Sequence, residues 1–211
     1  MNRNISTTIN VNAVQINEYA TMKNGYSSDS SANGGTEFWS DYYKAYIRTI
    51  NFGNDLSNLP STCNEENLWW DISESTTQKK KVYGYLVDTG LKDSTDNTKS
   101  LYNLYIVSEK QIFAPSNCES IFSFGNETIS NLMQINFNNN FNTANVTDMM
   151  DMFKYCKSLT NLDLSSFNTS KVKYMGSLYT GMFTDCSKLT NLYISNFDTS
   201  NVRDMGNMFY N

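Results

Sequence analysis

The stretch that decides the fold occurs three times in the last third of this 211-residue chain. It reads Phe141-Asn142-Thr143-Ala144-Asn145-Val146, then Phe167-Asn168-Thr169-Ser170-Lys171-Val172, then Phe197-Asp198-Thr199-Ser200-Asn201-Val202. A Met stands three residues after the Val of each copy, and a Met-Phe pair follows. The copies begin 26 and then 30 residues apart, because residues 178–181 are inserted in the second. Such a period predicts one small unit stacked on copies of itself, since the unit alone cannot bury its apolar side.

A second repeated pattern, Leu-x-x-Leu-x-Leu with close variants, predicts strands. It occurs at residues 47–52, 132–137, 159–164 and 189–194. We expect these four segments to lie side by side in one parallel sheet. Within a repeat, Val146, Met149, Met152 and Phe153 follow a helical spacing, which predicts a short helix on the opposite side. Asn142 with Thr143 would cap that helix. The predicted fold class is therefore α/β, a short right-handed solenoid of parallel strands and short helices.

The segment between the first two of these strands does not repeat, and we interpret it as an inserted antiparallel β module. Its strand candidates are 68–73, 82–87, 104–107 and 111–113, with a tight turn at 108–110 and a polar, mobile loop at 88–100. Further predictions are a strand at 13–16, a loop at 24–35 and a helix at 37–46. We divide the chain into an N-terminal strand and flexible polar segment (1–35), a capping module with a β-hairpin insert (36–131), and repeats truncated mid-repeat (132–211).

Composition argues against several classes of protein. The formal net charge is -5, so the basic surface of a nucleic-acid binder is missing. The sequence has no His and its four Cys form no C-x-x-C pair, so we expect neither a structural metal site nor a cofactor. Cys156 and Cys186 hold equivalent places in adjacent repeats; we interpret them as buried thiols, with a disulfide as the alternative. No apolar run is long enough to insert into a membrane.

The repeats resemble those of the BspA-like leucine-rich-repeat surface proteins of bacteria. The resemblance rests on Phe197-Asp198-Thr199-Ser200-Asn201-Val202 with Met205, Met208 and Phe209, and on Leu159-Thr160-Asn161-Leu162-Asp163-Leu164-Ser165-Ser166-Phe167. It extends over about 36–211, since the N-terminal portion also resembles the module that precedes such repeats. The resemblance implies a leucine-rich-repeat-like solenoid, export, an extracellular or cell-surface location, and adhesion to host or bacterial surface proteins or glycans. The chain departs from this pattern at 108–111 and at the insertion 178–181.

No constellation of residues points to catalysis, so we expect a non-enzymatic surface protein. The residues beside the inward-facing leucines of each strand should face outward and form a polar, amide-rich patch. They are Gln134, Asn136, Asn138, Asn161, Asp163, Ser165, Asn191, Tyr193 and Ser195. We predict that this patch binds a protein or glycan ligand. The alternative is a purely structural stalk whose repeats have no ligand of their own.

The end of the sequence suggests a segment of a longer exported protein. The third block stops at Asn211, where the Cys and Leu run of the earlier blocks would follow. The export signal and the anchor would then lie outside this segment. Met205, Met208 and Phe209 would lack a following strand to pack on them, so we expect this end to fray after about Asn196 or to associate end to end with another copy.

Overall fold

The computed structural model describes residues 20–23, 41–61, 68–75, 77–124 and 130–211. Its strands are β1 (Ala20–Thr21), β2 (Ile47–Gly53), β3 (Trp69–Asp71), β4 (Tyr83–Lys92), β5 (Ser100–Val107), β6 (Ile112–Phe113), β7 (Gln134–Asn136), β8 (Phe141–Asn142), β9 (Asn161–Asp163) and β10 (Asn191–Tyr193). Within these ranges the one helix is the single turn α1 (Asp41–Lys44). The predicted strand at 13–16 and loop at 24–35 lie outside the described residues.

Three sheets organise the described part of the molecule. The largest has the strand order β3-β4-β5-β2-β7; it is antiparallel from β3 to β5 and parallel from β5 to β7. A parallel sheet has the order β1-β6-β8, and β9 pairs with β10 in parallel. The inner face of the large sheet carries Ile50, Leu104 and Ile135, which are buried. A cluster of phenylalanines that includes Phe52 and Phe122 covers this face, so one continuous core joins the N-terminal half to the repeats.

The predicted α/β solenoid is wrong, because the regular structure of the described residues consists of β-strands in mixed and antiparallel pairings and a single helical turn. The parallel pairs β2–β7 and β9–β10 do form at the predicted places. However, they belong to two different sheets rather than to one. The segments predicted to be helical opposite these strands are turns, as at 150–155 and 182–185.

The predicted helices do not form because the backbone N–H groups of these segments donate to carbonyl oxygens of the next repeat. The N–H of Phe153 donates to the carbonyl oxygen of Met182 at 2.9 Å, and not to a carbonyl four residues earlier in its own segment. Asp151, Tyr155 and Asp185 also take positive φ angles of 56°, 62° and 59°. Left-handed residues end a right-handed helix, so the Met-Phe segments form stacked turns instead.

The repeats lie against one another through a regular backbone ladder. Parallel bridges join Asn117 to Asp148, Asp148 to Tyr174, and Tyr174 to Asp204. Beside them, the N–H groups of Cys118, Met149 and Met175 donate to Asp148, Tyr174 and Asp204, each at 2.9 Å. Each repeat is therefore held to the next by the same bonds, and the last described repeat is part of this ladder.

Side chains continue the same ladder inside the repeats. The rings of Phe122, Phe153, Phe183 and Phe209 stack in series, with centroid distances of 5.8, 5.7 and 5.3 Å. Cys156 and Cys186 are buried thiols, as predicted, and each donates to a carbonyl oxygen of the preceding repeat. Burial raises the pKa of both thiols. The core positions of the repeat thus serve packing and not reactivity.

The β module also differs from its prediction. β5 does not form a hairpin with β6; it pairs antiparallel with β4 and parallel with β2, so the segment is built into the main sheet. Residues 88–92 of the predicted mobile loop belong to β4. Asn142, Asn168 and Asp198 accept from the N–H two residues on, which confirms the predicted turns; the predicted helix caps are wrong because no helix follows.

A buried carboxylate fastens the end of the β4–β5 hairpin to the sheet. Asp93 is 4% exposed, and one of its oxygens accepts from the N–H groups of Thr95 and Asp96. The other accepts from the amide of Asn131, at 2.7 Å, and that amide also donates to the carbonyl oxygen of Ala45. Hydrogen bonds from the Thr95 hydroxyl, from Asn131 and from the two N–H groups lower the pKa of Asp93 to about 2.

The hydrogen bonds to Asp93 predict how the free energy of unfolding changes in acid. A carboxyl group whose folded-state pKa is depressed adds stability above its unfolded value of 3.8, and this stability is lost as the pH falls toward about 2. Asp93→Asn should therefore have a smaller loss of unfolding free energy than the wild type between these pH values. The loss of unfolding free energy for Asn131→Ala should lie between those of Asp93→Asn and the wild type. Urea titrations at stepped pH measure this, and equal acid slopes for Asp93→Asn and the wild type would contradict it.

Because the backbones of neighbouring repeats lie close together at Gly181, we predict that this position does not tolerate a side chain. A Cβ built there would lie 2.6 Å from the Cα of Met208, which is backbone and cannot move aside. Gly181→Ala should cost about 1–3 kcal/mol of unfolding free energy. Gly53→Ala is the matched control, because its Cβ would meet the Val107 side chain at an ordinary 3.7 Å. Equal stabilities of the two variants would show that the repeats are not in such close contact.

Candidate functional site

Two rows of outward side chains cross the large sheet and point away from the core. Cross-strand partners share a face, so the pairing defines each row. The first row contains Tyr85, Tyr105, Asn51 and Asn136, and the second contains Val87, Asn103, Thr49 and Gln134. β9 lies next to β7 in space, although the two strands belong to different sheets, and β10 pairs with β9. On this second sheet Asp163 lies opposite Tyr193 and Asn161 opposite Asn191, and these residues alternate with Leu162 and Leu192, which pack against the core. We call this surface the polar face.

In one half of the polar face the side chains hydrogen-bond to one another. Gln134 donates to Asn136 at 2.8 Å, and Asn136 donates to Asn51 at 2.7 Å. Asn51 donates to Thr49 at 3.0 Å, and Thr49 donates to Asn103 at 2.8 Å. This chain of bonds runs across β7, β2 and β5. It uses most of the hydrogen-bonding capacity of the inner amides and fixes their orientation, so this half is already satisfied by the protein itself.

In the other half, on β9 and β10, the side chains are open to a ligand. Asn161, Asp163 and Asn191 are exposed, and Tyr193 is 54% exposed. Within the described part of the chain, neither the Asn161 amide nor the Tyr193 hydroxyl forms a hydrogen bond, and the Asn191 amide makes only a 3.5 Å contact with Thr190. Asp163 keeps one oxygen free, while the other accepts from Ser165 at 2.9 Å. These four side chains form the open half of the polar face.

The nine predicted residues all reach the surface, but they do not form one patch. Asn136 is half-buried and the others are exposed. Asn138 has a φ of 51° and turns its amide onto the carbonyl oxygen of Phe52 at 2.8 Å, so it supports the backbone. Ser165 and Ser195 follow the strand ends, where the chain turns. The remaining predicted residues divide between the satisfied half and the open half.

Sequence reasoning missed the residues that the N-terminal half contributes to this face. Asn51 and Thr49 sit on the predicted strand 47–52 at positions beside inward-facing Ile50, so the alternation of that strand could have identified them. Asn103 and Tyr105 could not be found in this way, because nothing local indicates that β5 pairs with β2. Tyr105 stacks on Tyr85 with 5.0 Å between ring centroids, and Tyr85 is 4% exposed, so this end of the row is a packed aromatic pair.

The electrostatics of the face are those of a neutral surface with one carboxylate. Hydrogen bonds from the hydroxyl and the N–H of Ser165 lower the pKa of Asp163. Burial raises the pKa of Tyr85, so its hydroxyl stays neutral. Among the described residues, no group of three or more Cys, Asp or Glu is placed to hold a metal ion, and no helix is long and apolar enough to cross a membrane. The donors and acceptors of this face are suited to hydrogen bonding with a ligand.

The satisfied half predicts an energetic coupling between strands. A double-mutant cycle of Asn51→Ala and Asn136→Ala should give an interaction energy of about 0.5–1.5 kcal/mol, because each removes a partner of the other. The matched cycle of Asn51→Ala with Asn161→Ala should show none, because no hydrogen bond joins these two side chains. Urea unfolding of the four proteins in each cycle measures both values. Additive effects of Asn51→Ala and Asn136→Ala would contradict the bond.

Comparison with known proteins gives one match. A family model described as "Mycoplasma protein of unknown function, DUF285" matches residues 116–211, which contain the repeats. The repeat region of this chain is therefore similar to that family. No curated protein and no solved structure matches the chain.

Proposed function

We propose that this protein is a non-enzymatic binding module that holds a protein or glycan ligand on the open half of the polar face. The observation that carries the proposal is the contrast between the two halves. The side chains on β2, β5 and β7 satisfy one another, whereas Asn161, Asp163, Asn191 and Tyr193 present donors and acceptors to solvent from two paired strands. Polar groups whose hydrogen-bonding capacity is not used within the protein remain available to a ligand.

The chemistry of the open half favours a neutral polar ligand. Two amides can each donate and accept, one carboxylate oxygen accepts, and the Tyr193 ring offers a flat apolar surface beside them. Sugar hydroxyls and exposed peptide groups both match this set. The resemblance of the repeats to BspA-like surface proteins supports a cell-surface location and a role in adhesion.

A structural stalk is the second candidate, and the repeat ladder favours it. Identical backbone bonds join successive repeats, which gives a stiff element without any need for a ligand. In that case the polar face would serve only as a solvated surface. The two candidate functions differ in whether substitution of the open-half side chains abolishes ligand binding.

Substitution of the open half tests the proposal. Probes would be arrayed glycans and arrayed extracellular proteins, and the measured quantity is binding of the intact chain. The triple variant Asn161→Ala, Asp163→Ala and Tyr193→Ala should weaken binding to any probe that the wild type recognises by at least about tenfold, since it removes several hydrogen bonds at once. Its fold should be unchanged, because all three side chains are exposed.

The control is Tyr174→Ala, which removes another exposed tyrosine, 39% accessible, from the backbone ladder outside the polar face. It should leave binding unchanged. If the triple variant still binds the probe, the ligand binds to another surface. If the wild type binds no probe, the stalk function is favoured.

A further inference from the structure

We propose that the open half of the polar face binds one neutral hexose ring of a glycan. This inference rests on the proposed binding function and narrows its ligand from a protein or a glycan to an uncharged sugar. Three observations support it: the spacing of the four side chains, the charge of Asp163, and the small apolar area exposed around them.

The four side chains of the open half rise from the corners of a small rectangle. Asn161 lies opposite Asn191 and Asp163 lies opposite Tyr193 in the parallel pair β9–β10. Neighbouring strands lie about 4.8 Å apart, and residues two positions apart on one strand lie about 6.6 Å apart, which sets the sides of the rectangle. A hexose ring with its hydroxyl groups covers a comparable area, so one ring can contact all four side chains at once.

The two amides match a pair of neighbouring sugar hydroxyls. An Asn side chain both donates and accepts hydrogen bonds, and so does a hydroxyl group. Within the described part of the chain, the Asn161 amide forms no hydrogen bond, and the Asn191 amide makes only a 3.5 Å contact with Thr190. A hydroxyl that donates to the amide oxygen of one Asn can accept from the amide nitrogen of the other. The pair can therefore hold two adjacent hydroxyls of one ring.

Tyr193 and Asp163 complete the contacts with the ring. The Tyr193 side chain is 54% exposed, and its aromatic ring can lie against the apolar C–H groups of a sugar. Asp163 accepts from the N–H of Ser165 with one oxygen, at 2.9 Å, which leaves the other oxygen for a sugar hydroxyl. A hydrogen bond to a carboxylate is stronger than one to a neutral acceptor.

The charge of the open half selects an uncharged sugar. Hydrogen bonds from Ser165 lower the pKa of Asp163, so its carboxylate is charged at neutral pH. The strands β7, β9 and β10 contain no Lys or Arg that would offset this charge. An acidic sugar would therefore place its own carboxylate near that of Asp163, and the two like charges would repel each other.

A protein partner would require more apolar surface than this face exposes. Protein interfaces bury about 800 Å² per partner around buried aromatic or Arg anchors. On the described polar face, the exposed large apolar side chains are Val87 and Tyr193, which belong to different sheets. The satisfied half lies between them, and its amides hydrogen-bond to one another. The face thus lacks a central apolar cluster, and a small polar ligand suits it better.

NMR titration of the nitrogen-labelled 211-residue chain tests this inference. The probes are the neutral methyl glycosides of glucose, galactose and mannose. At least one of them should shift the side-chain amide signals of Asn161 and Asn191 saturably, with a Kd below about 10 mM. The matched charged probe is the methyl uronide of the same ring, in which a carboxylate replaces the hydroxymethyl group. It should bind about fivefold more weakly, the factor for two like charges about 4 Å apart in water.

Three variants assign the binding to the open half. Asp163→Asn keeps an acceptor but removes the charge, so the neutral ring should still bind and the discrimination against the uronide should disappear. Tyr193→Ser should weaken binding of the neutral ring about fivefold, because it removes the aromatic contact. Tyr174→Ala is the matched control and should leave binding unchanged, since Tyr174 is exposed outside the polar face.

The inference is overturned if none of the neutral glycosides binds, or if the uronide binds as well as its neutral counterpart. Signal shifts confined to residues outside the open half would overturn it as well. The proposed function fails separately: it would still hold if the triple variant weakened binding of an arrayed protein while no glycoside bound the wild type.

Discussion

The rest of the structure depends on hydrogen bonds that run between repeats instead of along them. At the first two Met-Phe turns, backbone N–H groups donate forward to carbonyl oxygens of the following repeat, as Phe153 does to Met182 and Phe183 to Met208. Buried peptide groups must be paired, and here pairing requires a neighbour in register. The phenylalanine stack and the thiol–carbonyl contacts then fill the space that this register defines. The position of each strand on the polar face follows from the same register.

The two halves of the polar face differ in their hydrogen bonding because they come from different parts of the chain. The satisfied half joins β5 and β2 of the N-terminal segment to β7, where amides from different strands meet and bond. On the repeat strands β9 and β10, Asn161 lies opposite Asn191 and Asp163 opposite Tyr193, but no hydrogen bond joins the side chains of either pair.

The sequence predicted the local turns and strand pairs that the repeat determines. It did not predict the pairing of strands that lie far apart in the sequence. The Phe-Asx-Thr repeats gave the turns at Asn142, Asn168 and Asp198 and the parallel pairing of 161–163 with 191–193. The spacing of Met149, Met152 and Phe153 suits a helix equally well as a stacked turn. Hydrogen bonds to the next repeat and the positive φ of Asp151 favour the turn. No local sequence pattern indicates either of them. The exposed residues of the site followed from strand alternation. Their division into two halves did not, because it depends on the pairing of β2 with both β5 and β7.

Native-state hydrogen exchange tests the central claim, that inter-repeat backbone bonds hold the structure together, most directly. The amides of Met149, Phe153, Met175 and Phe183 should be strongly protected and should open together, because each donates to the next repeat. The amide of Phe209, which donates no backbone hydrogen bond within the described part of the chain, should exchange much faster. Exchange of the four inner amides as fast as that of Phe209 would contradict the account, since the repeats would then not be joined by these bonds.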